Sequence, residues 1–186
     1  MPDALELLHQ DHEKVKQLFE QFEKAQENEE KKAIADTACL ELMVHAELEE
    51  KIVYPAIRQS VDNGEMMDEA DEEHHVAEVL IDELSGMKPT DSHYAGKFKV
   101  LAEYVQHHIQ EEEQEMFPKA RSLGTDRLMQ MGQQMEQSKQ TIMAEMQKPS
   151  RAGTGKPRST LRKTGTRSRA RSSSSRSRSA TRPRSR

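Results

Sequence analysis

Four histidines and two glutamates recur in this chain at spacings that would bring them to one point inside a helical bundle. The segment DHEKVKQLF, from Asp11 to Phe19, aligns with EHHVAEVLI, from Glu73 to Ile81. An acid precedes the aligned histidine in each, and apolar residues follow at the same offsets, ending with Phe22 and Leu84. The segment HAELEEKIVYP, from His45 to Pro55, likewise aligns with HIQEEEQEMFP, from His108 to Pro118. Both read His-x-x-x-Glu-Glu and close on an aromatic residue and a proline. His12 and His45 are 33 residues apart, and His74 and His108 are 34 apart. Two helical hairpins of one design follow from this repeat.

A histidine and a glutamate four apart on a helix are separated by about 40° around it and about 6 Å along it. Both side chains can therefore reach the same point beside the helix. A carboxylate there can bridge two cations while imidazoles hold each cation from outside. His12, His45, Glu49, His74, His108 and Glu112 are the candidate metal ligands, a nitrogen and oxygen set that suits Fe or Mn. Cys39 is the single cysteine, which argues against a structural zinc site. Core packing accounts for repeated leucine and valine, but four inward histidines with two inward glutamates would be costly without partners.

Two adjacent pairs, His74/His75 and His107/His108, need separating. Helical neighbours of His74 are Met67, Ala70, Ala77 and Ile81, whereas those of His75 include Asp68, Asp71, Glu72 and Asp82. His108 shares its face with Leu101, Tyr104 and Val105 and keeps the ten-residue spacing to proline; His107 does not. His74 and His108 are therefore assigned inward. His75 is kept as a secondary candidate, as is Glu78, four residues after His74. Glu50 and Glu113 are read as orienting the ligands or facing water. His9, His93, His107 and Cys39 fall outside the centre, Cys39 as a small buried hydrophobe.

The elements that must carry these residues are helices, because the apolar residues before Pro149 recur at helical spacing. Asp3 caps a first helix, with Glu6 completing a capping box. That helix extends to about Gln26, with Leu5, Leu8, Val15, Phe19 and Phe22 inward. A second runs from about Glu30 to Gln59 and ends at the turn Asp62-Asn63-Gly64. A third spans about Glu65 to Ser85, stopped by Gly86 and Pro89. Asp91 or Ser92 opens a fourth, reaching about Lys119. Gly124 and Thr125 mark a break, and Asp126 to Gln147 reads as a fifth helix whose methionines provide adaptable packing. Long helices with short connections make antiparallel neighbours. The expected fold is all-α: an up-down-up-down four-helix bundle over residues 1–147 with an extra C-terminal helix.

Charge divides the chain sharply. Residues 149–186 hold 13 Lys and Arg and no Asp or Glu, leaving 15 basic and all 33 acidic residues in 1–148, a net charge of −18. The Arg/Ser-rich segment, 148–186, has too little apolar surface to offset its conformational entropy and is expected to be a disordered basic tail. Arg-Ser repeats bind phosphates electrostatically, so nucleic acid or another polyanion is the partner class it suggests. Its serines are candidate phosphorylation sites, and folding back onto the acidic bundle is the competing role. No stretch approaches the ~20 apolar residues of a membrane helix. The single cysteine fits a reducing compartment, so a cytoplasmic location is expected.

At these residues the chain resembles the hemerythrin-like, or HHE cation-binding, domain family. The resemblance covers roughly residues 3–147, with DHEKVKQLFE, HAELEEKIVYPAIR, DEEHHVAEVL and YVQHHIQEEEQEMFPKAR as the close segments. It implies two irons in a non-haem, oxo- or hydroxo-bridged centre, with Mn as the alternative metal. It also implies reversible binding or activation of O₂, or of NO or peroxide. Two positions depart from the oxygen carriers: Glu78 replaces a histidine on the third helix, and His108-x-x-x-Glu112 replaces His-x-x-x-x-Asp on the fourth. One imidazole fewer alters redox potential and ligand access. The expected function is a non-enzymatic sensor, scavenger or stress protein. A peroxide-consuming, catalase- or peroxidase-like enzyme and an iron-storage or iron-sensing module are the alternatives.

Overall fold

The computed structural model of the protein describes residues 1–60 and 64–146. The expected Asp62-Asn63 part of the turn and the expected disordered tail, 148–186, lie outside the described residues. Helix α1 spans Ala4–Lys24 and α2 Asn28–Leu48, which continues through a π turn, Glu49–Val53, into α3, Tyr54–Ser60. Helix α4 spans Gly64–Ser85. Helix α5, Tyr94–Glu111, passes through a second π turn, Glu112–Met116, into α6, Phe117–Ala120, and a 3₁₀ turn. Helix α7 is Thr125–Met146.

Local chemistry explains most of these limits. Asp3 accepts the Glu6 N–H at 2.9 Å and Glu6 accepts the Asp3 N–H at 3.0 Å, the expected reciprocal cap. Gly124, at φ 84°, takes a backbone conformation that glycine alone tolerates well, and it separates α6 from α7. The start of α5 differs from expectation. Asp91 turns back to accept the Lys88 N–H at 2.8 Å, so the helix opens at Tyr94 instead.

The second and fourth helices, expected to be regular, each carry a π turn at the same point of the repeat. Proline in a regular helix clashes with the carbonyl four residues back. Before Pro55 and Pro118 the helix widens instead: the Tyr54 N–H reaches the Glu49 carbonyl and the Phe117 N–H reaches the Glu112 carbonyl. The proline of the repeat thus has a structural reading, and each π turn begins on a candidate carboxylate.

Helices α1, α2, α4 and α5 form a closed ring, α1 packing on α2 and α5, and α4 on the same two. Short connections make ring neighbours antiparallel, and α7 lies across α1 and α2. The interior has two apolar clusters. One holds Leu5, Leu8, Leu48, Ile57 and Met67 with Met131 and Met135 of α7; the other holds Val15, Phe19, Phe22, Phe98 and Leu101. His12, His74 and His108 lie along their helices between the two, in a polar layer. No helix among the described residues is long and apolar enough to cross a membrane.

Helix α7 approaches the N-terminus closely at Gly132. A Cβ there would stand 2.7 Å from the Pro2 carbonyl oxygen and about as near to the Asp3 and Ala4 backbone. Overpacking of this kind costs about 1–3 kcal/mol, against the ~1 kcal/mol alanine gains over glycine inside a helix. Gly132→Ala should therefore lower Tm in thermal denaturation. An unchanged or raised Tm would mean that the N-terminal cap yields freely.

Candidate metal centre

The six residues singled out from the repeat come together. His12, Glu49 and Glu112 are 1%, 0% and 1% exposed, and His45, His74 and His108 are nearly as buried. Donor atoms of His12, His45, Glu49 and Glu112 lie within 4.8 Å of one another, and so do those of Glu49, His74 and His108. Glu49 stands 3.2 Å from His45 Nε2 and 3.3 Å from His74 Nε2. Glu112 stands 3.2 Å from His12 Nε2 and 3.6 Å from His108 Nε2. Each carboxylate therefore touches one histidine of each hairpin.

The outward nitrogens are held by carboxylates. His12 Nδ1 meets Glu113 at 2.8 Å, His74 Nδ1 meets Glu50 at 3.2 Å, and His108 Nδ1 meets Glu73 at 2.7 Å. An ionised carboxylate only accepts, so these Nδ1 atoms carry hydrogen and the Nε2 atoms present lone pairs. His74 Nε2 and His108 Nε2 are 3.2 Å apart, as are His12 Nε2 and His45 Nε2. Lone pairs turned toward each other and toward carboxylates need a positive charge among them. In the metal-free protein a proton serves; a metal cation serves equally well. His45 Nδ1 is 3.9 Å from Asp11, too far to hydrogen-bond, and with Glu49 Oε1 and Glu112 Oε2 it is a buried atom without a hydrogen-bond partner among the described residues. Asp11 itself is held by Lys139 of α7.

The charges agree with this picture. Burial opposes charge on His45, yet Glu49, Asp11 and Glu112 outweigh it and raise its pKa to about 10. His74 is likewise desolvated but raised to about 9 by Glu49, Glu50 and Glu112. Burial penalises the Glu49 carboxylate as well, and His45 and His74 nevertheless hold it well below the ordinary range.

The two halves are not alike. Tyr54 stacks on His74 with ring centres 5.4 Å apart, and Phe117 stacks on His12 at 5.7 Å. These are the aligned aromatics of the repeat, but only Tyr54 carries a hydroxyl. That hydroxyl donates to Glu112 at 2.9 Å and stands 3.3 Å from His74 Nε2. Burial, Glu112 and Glu49 push its pKa well above that of an ordinary phenol. In the sequence Tyr54 stood only as the aromatic that marks the repeat, although the Tyr/Phe difference at equivalent positions was a signal.

The secondary candidates are elsewhere. His75 and Glu78 are exposed and join no candidate group among the described residues. Helix α4 is regular where the other two carboxylates sit at π turns, and its +4 position turns toward solvent. His107 is exposed beside Glu111, and His9 is exposed beside Glu113. His93 is exposed too. Cys39 is half-buried, not fully buried as expected, and burial lifts its thiol to about 12. Glu50 and Glu113 do orient histidines; Glu73, in the same role, was not anticipated.

Comparison with known proteins bears on this geometry. The hemerythrin HHE cation-binding domain matches residues 3–120. A solved hemerythrin HHE cation-binding domain-containing protein from Mycobacterium kansasii has the same fold, with a TM-score of 0.69 and 23% identity over 78% of this chain and 90% of that one. A DNA nickase of Nostoc sp. is 24% identical over 117 residues, 63% of this chain. The chain spans about a third, 33%, of that relative's length.

Proposed function

This chain belongs to the hemerythrin HHE cation-binding domain family, and from that premise we propose that it is a non-haem di-iron protein binding O₂ or a related small ligand such as NO or peroxide. One observation carries the reading: buried imidazole lone pairs face each other at 3.2 Å across carboxylates that touch both hairpins. His12 and His45 would hold one metal and His74 and His108 the other, with Glu49 and Glu112 as the carboxylates within reach of both halves. When bound, the metal pair would supply the Lewis-acid and redox chemistry that a small ligand such as O₂ needs. Glu113, Glu50 and Glu73 fix the tautomers that free Nε2 of His12, His74 and His108. Tyr54 places a neutral hydroxyl, a proton donor, on the shared Glu112 and beside His74, with no counterpart at Phe117. The test is metal analysis with an optical spectrum of anaerobically iron-loaded protein, before and after air. Fewer than two irons per chain, or a spectrum indifferent to air, would overturn the proposal. Oxygen evolution on adding peroxide would move the reading to a peroxide-consuming enzyme.

Loading should depend on pH in a definite direction. A metal must displace the protons held on His45 and His74, so binding releases protons and tightens as pH rises toward their values of about 10 and 9. Calorimetry in buffers of different ionisation enthalpy measures the release. Metal binding with no proton release would contradict the assignment of those histidines.

A second reading concerns residues 149–186, with 13 basic and no acidic side chains. One relative is named a DNA nickase, and this segment is the part of the chain suited to a polyanion. Truncation after Gln147 should leave iron content and helicity intact while abolishing DNA binding, which in the full chain weakens steeply with salt. Binding that survives truncation would refute a tail-borne mechanism.

A further inference from the structure

A cavity of about 520 Å³ lies between α4 and α5 and runs along the π turn Glu112–Met116. Glu65, Glu69, Glu111 and Glu115 line it, and Lys119 is the single cation among its described lining residues. Glu73, His108 and Glu112 also face it, so the cavity reaches the buried centre. Glu112 is 1% exposed, and its Oε2 is one of the buried atoms without a hydrogen-bond partner among the described residues. Of these lining residues, Glu111 is paired with the exposed His107, whose Nε2 is 3.3 Å from Glu111 Oε1. Donor atoms of Glu73, His107 and Glu111 all lie within 4.8 Å of one another. Glu73 is also the carboxylate on His108 Nδ1, at 2.7 Å. One side chain therefore belongs both to this outer group and to the support of the inner one.

We propose that Glu73, His107 and Glu111 form an outer divalent-cation site through which Fe²⁺ or Mn²⁺ reaches the His74–His108 half of the centre along the acidic cavity. One imidazole and two carboxylates suit a hard first-row dication. A concave surface of one sign concentrates counter-ions and speeds their capture, while disfavouring anions. Exposure of His107 and partial exposure of Glu111 keep the outer site weak, as a site of transit requires. The inference rests on the buried centre's being a metal site.

The experiment measures ferrous uptake by stopped flow and weak Mn²⁺ binding by equilibrium dialysis, on the full chain. His107→Ala removes a donor and no negative charge, and Glu111→Gln removes a carboxylate. Both should reach the wild-type final iron content, but roughly tenfold more slowly, and both should lose the weak additional Mn²⁺ equivalent. Glu115→Gln removes the same charge from the cavity without touching the trio and should slow uptake less. Unchanged uptake in His107→Ala, or a weak Mn²⁺ equivalent absent from wild type or retained in both variants, would overturn the outer site. Final iron content reports on the buried centre separately. If wild type retained no tight metal, the reading of the centre would fall together with the transit route, and the Mn²⁺ arm would still decide whether the outer site exists.

Discussion

Glu49→Ala and Glu112→Ala should each reduce tightly bound iron from two per chain to one or none. Each carboxylate lies within 3.2 to 3.6 Å of one histidine from each hairpin. Deleting either one removes a shared donor and a negative charge together. The metal-free protein should suffer as well. Removing one partner of a buried ion pair costs about 3–5 kcal/mol, less whatever the stranded imidazoles recover by losing their protons. The sign of the pH dependence follows from the raised histidines. Their contribution is complete below the unfolded value of 6.5 and is lost as pH rises through about 9 and 10. Glu49, held well below its ordinary 4.5, adds the opposite limit. The stability gap between Glu49→Ala and wild type should therefore be widest between pH 4.5 and 6.5, narrow at alkaline pH, and shrink again in strong acid as Glu49 takes up its proton. Metal per chain and denaturant midpoints measure both effects, and Glu49→Gln separates lost charge from lost volume. Two irons retained by both alanine variants would end the bridging assignment.

The second large effect separates neighbouring histidines. His74→Ala and His108→Ala should each lose the metal of their half, whereas His75→Ala and His107→Ala should reach wild-type iron content and spectrum. His74 and His108 are 9% and 6% exposed and face each other; His75 is on the surface, and the His107 side chain is 64% exposed. The remaining half should keep one metal, because His12 and His45 with Glu49 and Glu112 form a group of their own. Damage from His75→Ala, with His74→Ala silent, would show that the face assigned to α4 is wrong by one residue.

The sequence alone determined the helices and which six polar residues face inward, because these depend on local periodicity. Capping at Asp3, stops near Gly86 and Gly124, and the choice of His74 over His75 and His108 over His107 all follow from residues within a turn or two. Tertiary structure decided the rest. Glu113 reaches His12 across 101 residues, Glu73 reaches His108 across 35, and Glu50 reaches His74 across 24. Those contacts depend on the axial register between helices, which periodicity within one helix leaves free. The same holds for Lys139 of α7 on Asp11, for Gly132 against the N-terminal backbone, and for the acidic cavity between α4 and α5. The π turns are intermediate: proline ten residues after histidine was visible, but whether a helix breaks, kinks or widens there depends on what packs around it. Here widening leaves Glu49 and Glu112 in the polar layer while Tyr54 and Phe117 stack on histidines of other helices. A single hydroxyl between those two aromatics then makes the halves of a repeated sequence chemically unequal.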